Sequence, residues 1–243
     1  SAQTAGLGRV LNGIIALLLW LGLMLPQPLG LSVPTTAYAA TAGDIYVIDS
    51  DCCAGGHGAV VRVNPNTGVQ TLVSEGGNFN APEGIAISAS GEIYVVDPSC
   101  CAGGVGGVIR VNADTGVQTI VSQGGNFAFP IGIAIAANGD ILVTDQICCT
   151  GGQGAVIRVN PTSGAQTILS QGGLFNGPWG ITVASNGDVF VTDTSNQSVF
   201  RVNPNNGAQF LVTTGGNFND PENLVVAARS PVGRLPSGAS AGG

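Results

Sequence analysis

Six cysteines stand as three adjacent pairs, Cys52–Cys53, Cys100–Cys101 and Cys148–Cys149, in the strings DSDCCAGG, DPSCCAGG and DQICCTGG. Adjacent cysteines suit a tetrahedral zinc site poorly, because such sites space their ligands as C-x₂₋₄-C. The lone His57 could not serve three of them. A fourth, related stretch reads DTSNQS; it lacks both cysteines and is five residues shorter. Joint loss implies that the two cysteines of a loop serve that same loop. A disulfide within each pair, in an oxidising compartment, is the expected chemistry. Crossed pairings between loops stay open.

Carboxylates are the second candidate chemistry. Asp49, Asp97, Asp145 and Asp193 each end a similar run, and Glu83 and Glu222 each follow a proline. Asp49, Glu83 and Glu222 could share an acidic face, and Ca²⁺ is the ion that such hard oxygen ligands would take. The simpler expectation for the four aspartates is that they accept backbone N–H groups and fix the following turn. No nucleophile arrangement is present: there is no GxSxG, and His57 sits alone in a glycine-rich tip. No catalytic or cofactor-binding residue is therefore assigned. Trp179 and Ile131 are large apolar groups where other repeats carry Glu83 and Glu222. With Phe129 and His57 they form the expected interaction face, since exposed aromatics anchor protein contacts.

These residues recur because the chain repeats. GDIYVID (43–49), GEIYVVD (91–97), GDILVTD (139–145) and GDVFVTD (187–193) are spaced by 48 residues. Two further elements keep the register: GAVVRVNPNTGVQTLVS (58–74) and GGNFNAPEGIAIS (76–88), each with three later copies. Each unit holds four short β-rich runs separated by Asn-Gly, Ser-Gly and N-x-x-x-G turns. Alternation in VIRVN points Arg110 away from its apolar neighbours. Four antiparallel strands per unit, repeated four times, predict an all-β, four-bladed β-propeller.

The repeated body opens on the second strand of a unit and ends on an isolated first strand, Asn223–Ala227. That strand is expected to complete the first blade, so that strands from both termini close the ring and remove free edges. A larger ring shared by two chains would satisfy the same sequence. Phe79, Phe127, Phe175 and Phe218 are expected between blades, and Arg62, Arg110, Arg158 and Arg201 on solvated strand faces beside acids.

The P-x-G-I-A-(I/V) strand followed by N-G-D-(I/V)-(Y/F)-V-x-D resembles the NHL-repeat and SMP-30/gluconolactonase-like propellers, over residues 43–227. The resemblance implies the propeller fold. It also implies a range of roles, since relatives include protein- and RNA-binding platforms, lactonases and lyases. SMP-30-like enzymes hold a divalent metal with carboxylates and an Asn, but no complete set aligns here.

The first 39 residues read differently. One charge, Arg9, precedes an apolar run from Val10 to Leu25 that extends to residue 31, and Ala37-Tyr38-Ala39 fits a small-x-small cleavage site. Residues 1–39 are expected to be a signal peptide or an uncleaved hydrophobic helix anchoring the chain through residues 10–31. The propeller (40–228) would then lie on the periplasmic or extracellular face, or be secreted. Residues 229–243 form a Pro/Gly/Ser-rich tail.

Composition narrows the classes. The chain has 243 residues, 39 glycines, 9% charged residues and a formal net charge of −7, with no lysine. That balance excludes a nucleic-acid backbone as partner, which needs a basic stripe. Abundant glycine opposes a helical bundle. The function expected is that of a protein-interaction or accessory subunit of a membrane complex. The alternatives are a metal-dependent lactonase-like hydrolase and a carbohydrate or small-ligand binding module.

Overall fold

The computed structural model describes residues 40–227, apart from 54 and 102. The hydrophobic segment and the tail lie outside the described residues, so the expected helix, cleavage site and linker are not placed.

Fifteen strands form four antiparallel sheets in chain order. Blade 1 comprises β1 (Ile45–Asp49), β2 (Ala59–Val63) and β3 (Gln70–Glu75). Blade 2 comprises β4 (Gly84–Ile87), β5 (Ile93–Asp97), β6 (Gly107–Val111) and β7 (Gln118–Gln123). Blade 3 runs from β8 (Pro130–Ile135) through β9 (Ile141–Asp145) and β10 (Ala155–Val159) to β11 (Gln166–Gln171). Blade 4 comprises β12 (Pro178–Val183), β13 (Val189–Asp193), β14 (Ser198–Val202) and β15 (Gln209–Thr214). Consecutive strands pair as a meander, which short turns permit and parallel pairing would not. The last two strands of every blade slip register at one point, as between Val108 and Ile109. Such a bulge sharpens the local twist.

The core lies between blades. Alternating side chains give each sheet two apolar faces, and each face needs a neighbour. Tyr46 and Val60 of blade 1 cluster with Ile93, Val95, Ile109 and Val111 of blade 2. Tyr94, Val96 and Val108 meet Ile141, Val143 and Ile157 of blade 3. Leu142 and Val156 meet Val189, Val191 and Phe200 of blade 4. Phe79, Phe127 and Phe175 are buried at these seams, as expected, and Phe175 packs edge-on against Phe200 with ring centroids 5.8 Å apart.

A polar latch accompanies each seam. The Gln118 amide donates to Ser74 Oγ and Gly76 O, both at 2.9 Å, and its carbonyl accepts from Asn78 N–H. Gln166 and Gln209 repeat the arrangement one and two seams later. At the hub the inner strands approach so closely that a side chain is refused. A Cβ on Gly84 would lie 2.6 Å from the Ile131 carbonyl oxygen, and Gly132 and Gly180 face the Trp179 and Glu222 carbonyls in the same way.

The expected closing strand is not formed: the first sheet has three strands, and residues 223–227 take no ladder partner. The end of the chain is held at blade 4, where the Glu222 carbonyl accepts from the Thr192 hydroxyl, while Ile45 and Val47 on the blade 1 side stay exposed, so the two ends do not meet.

Candidate functional site

The first strand of a blade starts where the second ends, as the pairing of Pro130 with Asp145 shows. The turns entering first strands and the cysteine loops leaving second strands therefore share one rim. The repeat aspartates organise that rim. Asp145, fully buried, accepts N–H groups from Ala128, Phe129, Ile147 and Cys148. Asp97 gathers Asn80, Ala81 and Ser99, and Asp193 gathers Asn176, Gly177 and Asn196. Burial pushes the Asp145 carboxyl above its usual range, and its four N–H donors oppose that shift. The turn-fixing role expected for these aspartates holds in blades 2–4. Asp49 is exposed and receives the Asp51 N–H at 3.1 Å.

The three cysteine pairs are bonded within each pair, Cys52–Cys53, Cys100–Cys101 and Cys148–Cys149. Cys53, Cys101 and Cys149 adopt φ of 76°, 73° and 74°, a region non-glycine residues rarely enter. Cys100 and Cys148 are buried within the seam clusters, while their partners lie at the edge. The Cys100–Cys101 and Cys148–Cys149 disulfides thus cap the apolar seams at the rim. In blade 4 the shorter loop places Gln197 at φ 51° instead.

The expected acidic trio is not assembled. Among the described residues, no three His, Cys, Asp or Glu side chains come together as a metal site. Glu83 and Glu222 do sense each other. Desolvation raises the Glu83 pKa, and the charges of Asp97 and Glu222 raise it further. Asp49, Glu83 and Glu222 therefore do not fit the cation they could have shared.

The interaction face needs two corrections. Ile131 is 3% exposed and belongs to the packed start of β8, so it cannot anchor a partner. Trp179 is half-buried in β12, and its carbonyl accepts a hydrogen bond from the Thr144 hydroxyl. His57 is exposed, 3.4 Å from Asn80 Oδ1, and approaches no other candidate. Phe129 is exposed on the rim as expected, at 37%.

Sequence reasoning missed Ile147, 53% exposed in the cysteine loop of blade 3. The Phe129 and Ile147 amides both donate to the Asp145 carboxylate, and Gln146 N–H donates to the Phe129 carbonyl. One buried group thus holds two exposed apolar residues on adjoining turns. The signal was in the repeat. Positions 51, 99, 147 and 195 read Asp, Ser, Ile, Ser, and positions 81, 129, 177 and 220 read Ala, Phe, Gly, Asp. Only blade 3 is large and apolar at both.

Grooves between neighbouring blades, lined by residues such as Ser74, Asn78, Gly116 and Gln118, recur at each latch. Their repetition marks them as products of the seam.

Comparison with known proteins agrees with this architecture. The NHL repeat model matches residues 175–202. No curated protein sequence matches the chain. Among solved structures, a nidogen/laminin complex aligns with TM-score 0.55 and 18% identity, covering 71% of this chain and 59% of that one. Virginiamycin B lyase from Staphylococcus aureus aligns with TM-score 0.54 and 17% identity, over 68% of this chain and 52% of the lyase. TolB from Acinetobacter baumannii aligns with TM-score 0.53 and 14% identity, over 71% of this chain and 41% of TolB. The chain covers less than two thirds of each of these structures. Four consecutive antiparallel blades with inter-blade cores define a β-propeller. Its likeness to the NHL repeat spans residues 175–202.

Proposed function

We propose that this propeller is a protein-interaction module whose rim at blade 3 receives a protein partner. The observation that carries the reading is the fixed pair Phe129 and Ile147, exposed and apolar where equivalent positions in the other blades are small or polar. Holding both through a buried carboxylate lowers the ordering cost of binding. NHL-type propellers commonly mediate protein contacts, and one structural relative is a protein complex. The export-like first 39 residues and the intrapair disulfides support placing this module on the periplasmic or extracellular side. Anchoring through residues 10–31 would keep it beside a membrane complex as an accessory subunit. Among the described residues, no helix is long and apolar enough to cross a membrane, so the anchor rests on the segment outside them.

A photo-crosslinking amino acid at position 129, introduced in the native host, tests the reading. One defined protein adduct that disappears in Ile147→Asp, with unfolding behaviour unchanged, is the expected result. Absence of any adduct, or one indifferent to Ile147→Asp, overturns it.

A further inference from the structure

Every seam in this molecule uses one set of parts, and both ends carry that set unused. At the blade 1 end, Ile45 and Val47 are 50% and 43% exposed, whereas Ile93 and Val95, their equivalents in blade 2, are fully buried. At the blade 4 end, Val212 is 53% exposed, whereas the equivalent Val73, Val121 and Leu169 pack at seams.

The latch is also present in two unjoined halves. Gly116, Gly164 and Gly207 each lie against a carbonyl of the preceding blade, but Gly68, with the same φ of about 71°, has nothing within 4 Å of its Cβ position. Gly77, Gly125 and Gly173 each lie under a latch glutamine, but Gly216 faces open space. Gln70 is the latch glutamine of blade 1, exposed at the start of β3.

The end of the chain is already placed for a further seam. The Thr192 hydroxyl donates to the Glu222 carbonyl at 2.5 Å, as the Thr144 hydroxyl donates to the Trp179 carbonyl. Residues 222 and 223 therefore sit against β12 as each inner strand sits against the one before, with no second strand beside them.

The blade 1 and blade 4 faces, exposed at Ile45, Val47 and Val212, do not meet within one copy, which in a flat ring of like steps means less than a quarter circle per step. A ring built with this step holds more than four blades. Two copies of these four blades make eight, and β-propellers typically reach about eight blades. We propose that two copies join head to tail into one eight-bladed ring. The blade 4 face of each meets the blade 1 face of the other, and Asn223–Ala227 supplies the missing inner strand of the partner's blade 1. This heterologous contact closes because two copies complete the circle. It uses the end faces and is independent of the blade 3 rim.

The test is the native mass of the full chain in a mild detergent that shields residues 10–31, with two charge variants. The wild type is expected at twice the chain mass of 24.1 kDa. Val47→Arg and Val212→Arg, each at a position exposed in the single copy, are expected to raise the dissociation constant by about 100-fold or more by burying an unpaired charge. Each variant should then run as a monomer with unchanged circular dichroism. Mixing the two leaves one intact seam, so dimers should return. A monomeric wild type, a dimer that survives Val47→Arg, or variants that fail to pair on mixing each overturn the proposal. Survival of the Val47→Arg dimer would point to the apolar segment as the joint, and a monomeric wild type to another occupant of the end faces.

Discussion

Replacing Gln166 with alanine probes the blade 2–blade 3 latch. Its amide makes hydrogen bonds at 2.9, 2.9 and 2.7 Å to Ser122 Oγ, Gly124 O and Asn126 N–H. Each such bond contributes about 1 kcal/mol net, so Gln166→Ala is expected to cost about 3 kcal/mol. For a domain of this size that is a fall in Tm of about 6–12 °C. Gln166→Glu keeps the acceptor but turns a carboxylate toward Ser122 Oγ and Gly124 O, so it should cost at least as much at neutral pH and recover on acidification. Urea and thermal unfolding of the three proteins, at neutral and mildly acidic pH, provide the measurement. Gln70→Ala in the Val47→Arg background is the control, expected within about 0.5 kcal/mol of its parent, as for surface changes generally. A loss below about 0.5 kcal/mol for Gln166→Ala, or a pH-independent Gln166→Glu, would refute the assignment of the latch as a stabilising element.

The other predictions concern single groups. Gly132→Ala forces a methyl against the Trp179 carbonyl and, at 2.5 Å, the Thr144 hydroxyl, whereas Gly187→Ala meets nothing within 4 Å. Calorimetry should show a loss of about 3 kcal/mol for the first and about 1 kcal/mol, the positive-φ penalty alone, for the second. Asp145→Asn keeps one accepting oxygen but turns an NH2 group toward N–H donors that the other oxygen had satisfied, and should cost about 2–3 kcal/mol, against almost nothing for Asp49→Asn. The folded state binds a proton at Asp145 more readily than the unfolded state, whose value is near 3.8. Wild-type stability relative to Asp145→Asn should therefore rise as pH falls toward that value and fall as pH rises through the folded pKa. Desolvation and the Glu92 carboxylate push the Tyr94 pKa up to about 12, so ultraviolet titration should show one late-ionising tyrosine that Tyr94→Phe removes. Its contribution to stability is complete below pH 10 and is lost as pH rises through about 12.

The 48-residue register made the blades legible, because turn residues and alternation recur in phase and place every described strand. The turn-fixing aspartates were legible for the same reason: a short acceptor at a strand end has few other uses. The Arg pairs were legible in kind. Arg62, Arg110, Arg158 and Arg201 lie 3.2–3.8 Å from Asp44, Glu92, Asp140 and Asp188. Depth was not legible. Ile131 and Trp179 share a repeat position, yet one is buried and the other half-exposed, because that position lies at the hub and its cover comes from the neighbouring blade. The missing closure was not legible either: Ile45, Val47 and Val212 repeat the types of residues that pack at the other seams, and nothing in those types shows that the two end faces stay apart. Ile147 could have been found by reading down the repeat columns for the one that breaks pattern.

The latch also has a consequence for how the molecule is made. Its bonds join residues 40–44 positions apart at the first two seams and 35–39 at the third. No seam waits for a residue more than about one unit downstream, so the chain can complete each core as the next unit follows, from the amino end onward. An all-β chain usually folds slowly because distant strands must meet; here the distance is capped at one repeat. The last seam alone lies outside that schedule. With its halves at opposite ends of the chain, it must be made last and leaves two apolar faces uncovered in every nascent copy until they are met.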